Sequence, residues 1–201
     1  MNAPLRVVIL VFDDVEVLDF CGPFEVFSVA NRDVEPQLFD ISVVALSEKI
    51  VARGGLSVNP HHSLESCPQA DILLIPGGIG VTPQIEDEAV VNWVISQAST
   101  AQLVTSVCTG AVLLGRAGLL DDLDATTHHR CIEQLQRVAP RTRVVTNKRF
   151  VDEGRFITSA GISAGIDMAL HIVCRLAGIK IARDVAARME YDWNNESTND
   201  E

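Results

Sequence analysis

Gln102-Leu-Val-Thr-Ser-Val-Cys-Thr-Gly-Ala-Val-Leu-Leu-Gly115 runs an apolar stretch of strand length into a cysteine, and a small-residue helix begins at once. A strand that becomes a helix within one residue must bend sharply, which puts the side chain at the apex of the turn. This is the cysteine counterpart of the serine nucleophile elbow. The backbone N–H groups of the new helix are expected to favour thiolate over thiol there. Cys108 is therefore the leading candidate for a nucleophile, weighed against the plain alternative of a small buried hydrophobe.

The flanking segments set the fold around that junction. Leu5–Phe12 and Ala70–Pro76 are continuous apolar runs of the kind that form strands buried on both faces. Phe39–Leu46 reads as another strand, Ile50–Val58, broken by Gly54-Gly55, as a hairpin or an edge pair, and Phe150–Ile157 as a hairpin around Glu153-Gly154. The pattern predicts helices over Pro23–Ala30 with Pro23 in the first turn, over Asp87–Ala98, from the elbow to about Ala117, over Cys131–Val138, and over about Ala164–Leu176 and Lys180–Met189. Strands alternating with helices predict a doubly wound α/β sheet, whose ligands bind at the carboxyl ends of the strands. The loop after Phe12 with Asp19, the Pro76-Gly77-Gly78 turn and Cys108 all fall at such ends. Residues 1–193 are expected to form one domain, and 194–201 a polar tail.

Composition narrows the function. The chain has 201 residues, 47% hydrophobic and 21% charged, enough for one core without disulfides or metal. A formal net charge of −11 argues against nucleic-acid or anionic-membrane partners. Cys21, Cys67, Cys108, Cys131 and Cys174 are odd in number and show no zinc-ligand spacing, which points to free thiols in a reducing cytoplasm and to no bound metal. The start reads as a core strand and not as a signal peptide, and no apolar run has the length of a membrane span.

Taken together, Ile75-Pro-Gly-Gly78, Val107-Cys-Thr-Gly110 and Ala125-Thr-Thr-His128 resemble the ThiJ/PfpI superfamily, over Val7 to about Trp193. The resemblance implies a flavodoxin-like, class I glutamine amidotransferase-like α/β fold, no cofactor, a small-molecule substrate and a homodimer. Thr109 stands where the protease-like branches carry histidine. Val17-Leu-Asp-Phe-Cys-Gly-Pro23, Cys108-Thr109 and Gly161-Ile-Ser-Ala-Gly-Ile-Asp167 are most similar to the isocyanide hydratase branch, in which an aspartate, here Asp19, faces the cysteine. The same motifs, and the ending Met189-Glu-Tyr-Asp-Trp193, resemble the amidase-like domains of AraC-type regulators.

That resemblance implies attack of the Cys108 thiolate on the isocyanide carbon, with Asp19 giving a proton and later activating water to release an N-substituted formamide. Asp19 could otherwise cap a helix before Pro23. The N–H groups of Gly78 and Thr109 are expected to stabilise charge near the sulfur, and the Thr109 hydroxyl to orient the thiol. Ile79 and Ile162 are candidates for the pocket wall or for core. His128 reads equally as a base or as a hydrogen-bonded structural imidazole. Cys21 is expected to pack, Asp167 to be structural, and His61 and His62 to lie solvated in a loop. Alternative readings are a ligand-sensing or oxidation-sensing domain, and glyoxalase- or deglycase-like activity, which a glutamate at position 19 would suit better.

Overall fold

The computed structural model describes residues 3–32 and 34–194, so most of the predicted polar tail, from residue 195 onward, lies outside the described residues. In chain order the elements are β1 (Leu5–Leu10), α1 (Val17–Ala30), β2 (Phe39–Ala45), β3 (Ile50–Val51), β4 (Ser57–Val58), β5 (His62–Ser63), β6 (Ile72–Ile75), α2 (Val81–Glu86) and α3 (Glu88–Thr100). Then follow β7 (Leu103–Val107), α4 (Gly110–Arg116), β8 (Asp124–Ala125), α5 (Ile132–Val138), β9 (Arg143–Val144), β10 (Phe150–Glu153), β11 (Phe156–Ser159), α6 (Ala164–Ala177) and α7 (Ile179–Arg188).

Seven strands form the main sheet in the order β10-β11-β7-β6-β1-β2-β5. All neighbours run parallel except the β10–β11 hairpin. The segment β2-β1-β6-β7-β11 has the strand order of flavodoxin-like sheets. Helices α1, α6 and α7 pack together as one layer, and α2 to α5 as another. Covered on both sides, β6 and β7 are buried at every position, β6 with an unbroken apolar run and β7 with Thr105 and Ser106 among its apolar residues. The chain leaves β1 for β2 on one side and returns to β6 on the other. The β1–β6 boundary is therefore the topological switch point, where α/β sheets open a crevice.

Helix α1 starts six residues before the expected Pro23, which lies inside it. Proline has no N–H, so the Asp19 carbonyl loses its helical partner at that turn. Packing outweighs this loss. Phe20, Gly22 and Pro23 are buried, and a Cβ on Gly22 would come within 3.0 Å of Ile166 Cγ1 on α6. Local propensity misplaced the helix start because the contact with α6 decides it. Helix α2, with its own Pro83 in the first turn, also went unread behind the Pro76–Gly80 turn. His61 is not merely solvated: its Nδ1 accepts the Val43 N–H at 2.9 Å, and His62 begins the edge strand β5.

Candidate active site

The end of β7 forms the elbow expected of it. Cys108 has a φ of +56°, a left-handed conformation that costs a non-glycine residue about 1–2 kcal/mol. Both of its backbone groups are tied down. Its N–H is directed at the carbonyls of Ser159 (3.1 Å) and Ala160 (3.2 Å), and its carbonyl accepts the Thr127 hydroxyl at 2.8 Å. The residue is only 5% exposed.

Because α1 starts at Val17, Asp19 lies in its first turn and does not cap it. The side chain is fully buried at the switch point. Oδ2 accepts the Gly77 N–H at 3.0 Å, which fastens α1 to the turn after β6. Oδ1 is buried without a hydrogen-bond partner, although the Cys108 thiol and the Ile162 N–H lie near enough to act on the carboxyl. Burial pushes the Asp19 carboxyl up from 3.8 to about 7. The Gly77 N–H opposes the rise, and the negative charge of Glu16 adds to it.

The thiol corrects the expectation drawn from the helix start. Burial, then the charge of Asp19, push Cys108 up to about 12, and the N–H groups of Thr109 and Ile162 pull it down without prevailing. The lone thiol is therefore not a ready thiolate. Above about pH 7 the pair holds one proton, on Cys108, and Asp19 is a carboxylate; below that both are protonated. Asp19 is the group placed to take the thiol proton as the sulfur reacts.

The other predicted residues divide. The Gly78 N–H is not open to a substrate, because it donates to the Thr109 hydroxyl at 2.9 Å. That hydroxyl in turn donates to the Gly78 carbonyl at 3.1 Å, so it joins two loops and does not orient the thiol. Thr109 reaches the sulfur through its backbone N–H. Gly78 serves close approach instead. Its φ is +124°, and a Cβ would meet Asp14 O at 2.5 Å and Glu16 N at 2.6 Å, where the chain bridges to Val15.

Ile79 is 62% exposed and lines a cleft of about 330 Å³ with Phe12, Asp13, Ile50 and Pro83; neither Cys108 nor Asp19 lines it. Ile162, 37% exposed, matters here through its backbone: with φ at +53° its N–H faces the Cys108–Asp19 pair. The His128 ring lies over Gly161 and against His129. Its Nδ1 accepts the Arg130 N–H at 3.2 Å. Burial, with the charges of His129 and Arg130, lowers its pKa and keeps the ring neutral. Sequence reasoning missed Thr127, the Ile162 N–H and Glu16, whose carboxylate meets Arg53 at 3.4 Å. Only Thr127 carried a visible signal, within Ala125-Thr-Thr-His128.

Comparisons with known proteins bear on the family and the fold. The family model described as the DJ-1/PfpI family matches residues 5–175. Isonitrile hydratase of Pseudomonas putida is 37% identical over 190 residues, which are 93% of this chain and 78% of that protein. The HTH-type transcriptional regulator GbdR of Pseudomonas aeruginosa is 28% identical over 94% of this chain, which spans only 51% of the regulator. The crystal structure of a THiJ/PfpI family protein from Pseudomonas syringae superposes with a TM-score of 0.86 at 28% identity, covering 96% of this chain and 78% of that one.

Proposed function

Since the chain belongs to the DJ-1/PfpI family, we propose that it is a cysteine-dependent hydratase that converts an isocyanide to an N-substituted formamide. The observation that carries this reading is the fully buried Asp19, held near pKa 7 beside the Cys108 elbow. It is supported by the 37% identity with isonitrile hydratase.

The chemistry follows from one proton and one carboxyl. Asp19 takes the thiol proton as the sulfur bonds to the terminal isocyanide carbon. The negative charge developing on that carbon is quenched by the same proton, which gives a thioimidate and restores the carboxylate. Asp19 then removes a proton from water as oxygen adds to the carbon, and passes it to nitrogen. Loss of the hydroxyl proton to Asp19 with cleavage of the C–S bond releases the formamide, and the proton returns to sulfur. The sum is addition of one water to one isocyanide. The N–H groups of Thr109 and Ile162 steady the sulfur while it is charged. A cysteine only 5% exposed suits a slim electrophile that arrives end-on, and the linear end of an isocyanide has that shape. All five cysteines are free, which supports a reducing cytoplasmic setting.

A second reading, a ligand-sensing domain, is favoured by the likeness to GbdR. The two separate in one assay, hydration of an aryl isocyanide followed by ultraviolet absorbance. Turnover that Cys108→Ala and Asp19→Ala both abolish establishes the hydratase. No turnover by a wild-type protein whose Cys108 still reacts with an alkylating agent rejects it and moves the weight to sensing.

A further inference from the structure

The segment from Ala160 to Ser163 carries two of the backbone groups that meet the Cys108–Asp19 pair, the Ala160 carbonyl and the Ile162 N–H, and one residue outside the site touches both of its ends. The Arg149 carbonyl, just before β10, accepts the Ala160 N–H at 2.9 Å, and the Ala160 carbonyl receives the Cys108 N–H. At the other end the Arg149 guanidinium reaches the Ser163 hydroxyl at 3.3 and 3.4 Å. Its Nε donates to Asp167 Oδ2 at 2.8 Å, and its Nη2 pairs with the same carboxylate. Asp167 is itself held by the Tyr191 hydroxyl, which donates to Oδ1 at 3.1 Å from beyond α7. Ser163 occupies the N-cap position of α6, yet its side chain makes no capping hydrogen bond, and the contact shown for its hydroxyl is with Arg149.

Between these anchors stands Ile162 at φ +53°, a strained conformation that holds only where the surroundings over-determine it. Its N–H is the one group that favours the charged form of both Asp19 and Cys108. We propose that Arg149 is a positioning residue: with Asp167 and Tyr191 as its supports, it grips the first turn of α6 and holds the Ile162 N–H on the reacting pair. This rests on the reading of Cys108 and Asp19 as that pair, and not on the identity of the substrate. The planar guanidinium meets Ser163 and Asp167 through separate nitrogens, a fork that the point charge of a lysine does not reproduce.

The other groups acting on the pair are fixed independently of Arg149. Glu16 lies at the head of α1, paired with Arg53, and the Thr109 N–H opens α4. Releasing the grip should therefore remove one charge-stabilising donor and leave the rest.

The test is the pH profile of Cys108 alkylation by iodoacetamide, with thermal unfolding measured beside it. In Arg149→Met and Arg149→Lys alkylation should be about tenfold slower than in wild type at each pH, because the thiol holds its proton more tightly. Ser163→Ala, at an exposed position whose hydroxyl does not cap its own helix, should slow alkylation the same way by less. This variant keeps the test sharp if the Arg149 changes fail to fold. Folded variants that lose thermal stability but keep the wild-type alkylation profile would reduce Arg149 to a structural ion pair and overturn the proposal. Wild-type protein that hydrates no isocyanide, with an alkylation profile that still moves with Arg149, sinks the hydratase reading and upholds the positioning role.

Discussion

The Thr109 hydroxyl closes a two-way hydrogen bond on Gly78, accepting its N–H at 2.9 Å and donating to its carbonyl at 3.1 Å. One side chain thus ties the elbow after β7 to the turn after β6. Thr109→Val keeps the shape and strands both buried groups of Gly78. The expected loss is about 2 kcal/mol, or roughly 4–8 °C in melting temperature for a chain of this size. Thr109→Ser retains the hydroxyl and should melt within about 2 °C of wild type. Equal melting of wild type and the valine variant in a calorimeter would show that the bridge contributes nothing.

Gly78 is also where the chain passes closest to itself. A Cβ there would press on Asp14 O and Glu16 N, both main-chain atoms, and φ is +124°. Neither atom can yield as a flexible side chain would. Gly78→Ala is expected to cost about 3 kcal/mol or more and to displace the head of α1, and Asp19 with it. Circular-dichroism melts check the stability. Retention of wild-type melting and wild-type turnover would contradict the close approach.

Asp19 is kept at a cost that depends on pH. Its carboxyl titrates at about 7 in the folded chain and at 3.8 when free of these surroundings, a difference of roughly 4 kcal/mol. The raised value means that the folded state holds a proton which the unfolded state has lost. Stability is therefore full below about pH 3.8, falls as pH rises through about 7, and is flat above. Asp19→Asn has no such proton. Its melting temperature should exceed that of wild type by an amount that grows from pH 4 to pH 7, reaching on the order of 10 °C. A pH-independent difference would mean that burial does not hold the carboxyl up.

These relationships show where the sequence could and could not be read. The strands were legible because burial on both faces favours unbroken apolar runs, as over residues 7–10 of β1 and in Ile72–Ile75. The elbow was legible because a strand meets a helix at a single residue. The start of α1 was not, since Pro23 marks a helix start locally and only packing against α6 overrides it. The hydrogen-bonding roles of Gly78 and Thr109 were misassigned for a related reason. Sequence shows that an N–H exists and does not show which distant hydroxyl has already claimed it. The Arg149 contacts join positions 149, 163, 167 and 191, and no spacing rule connects them.

His128 and Asp19 could be confused in a pH–rate profile, since both would titrate within reach of neutrality. Their directions differ. His128 is lowered from 6.5 by burial and its cationic neighbours, and Asp19 is raised to about 7. An inflection near pH 7 in kcat/KM should therefore survive in His128→Gln, with activity within about tenfold of wild type, and vanish in Asp19→Asn. Loss of the inflection in the histidine variant alone would make His128 the titrating group.

The sharpest expectation is that one change moves reactivity and turnover in opposite directions. The negative charge of Asp19 is the second cause, after burial, that holds the Cys108 thiol at about 12. Asp19→Asn removes that charge and leaves the Thr109 and Ile162 N–H groups in place, so the thiol pKa should fall. Alkylation by iodoacetamide at pH 8 should then be faster than in wild type. Hydration of the isocyanide should nevertheless drop by about two to four decades, because an amide can neither take the thiol proton nor return it to carbon. A faster nucleophile in a slower enzyme would identify the carboxyl as a proton carrier. If alkylation and hydration instead fall together, Asp19 only shapes the turn around the sulfur, and the acid must be sought elsewhere.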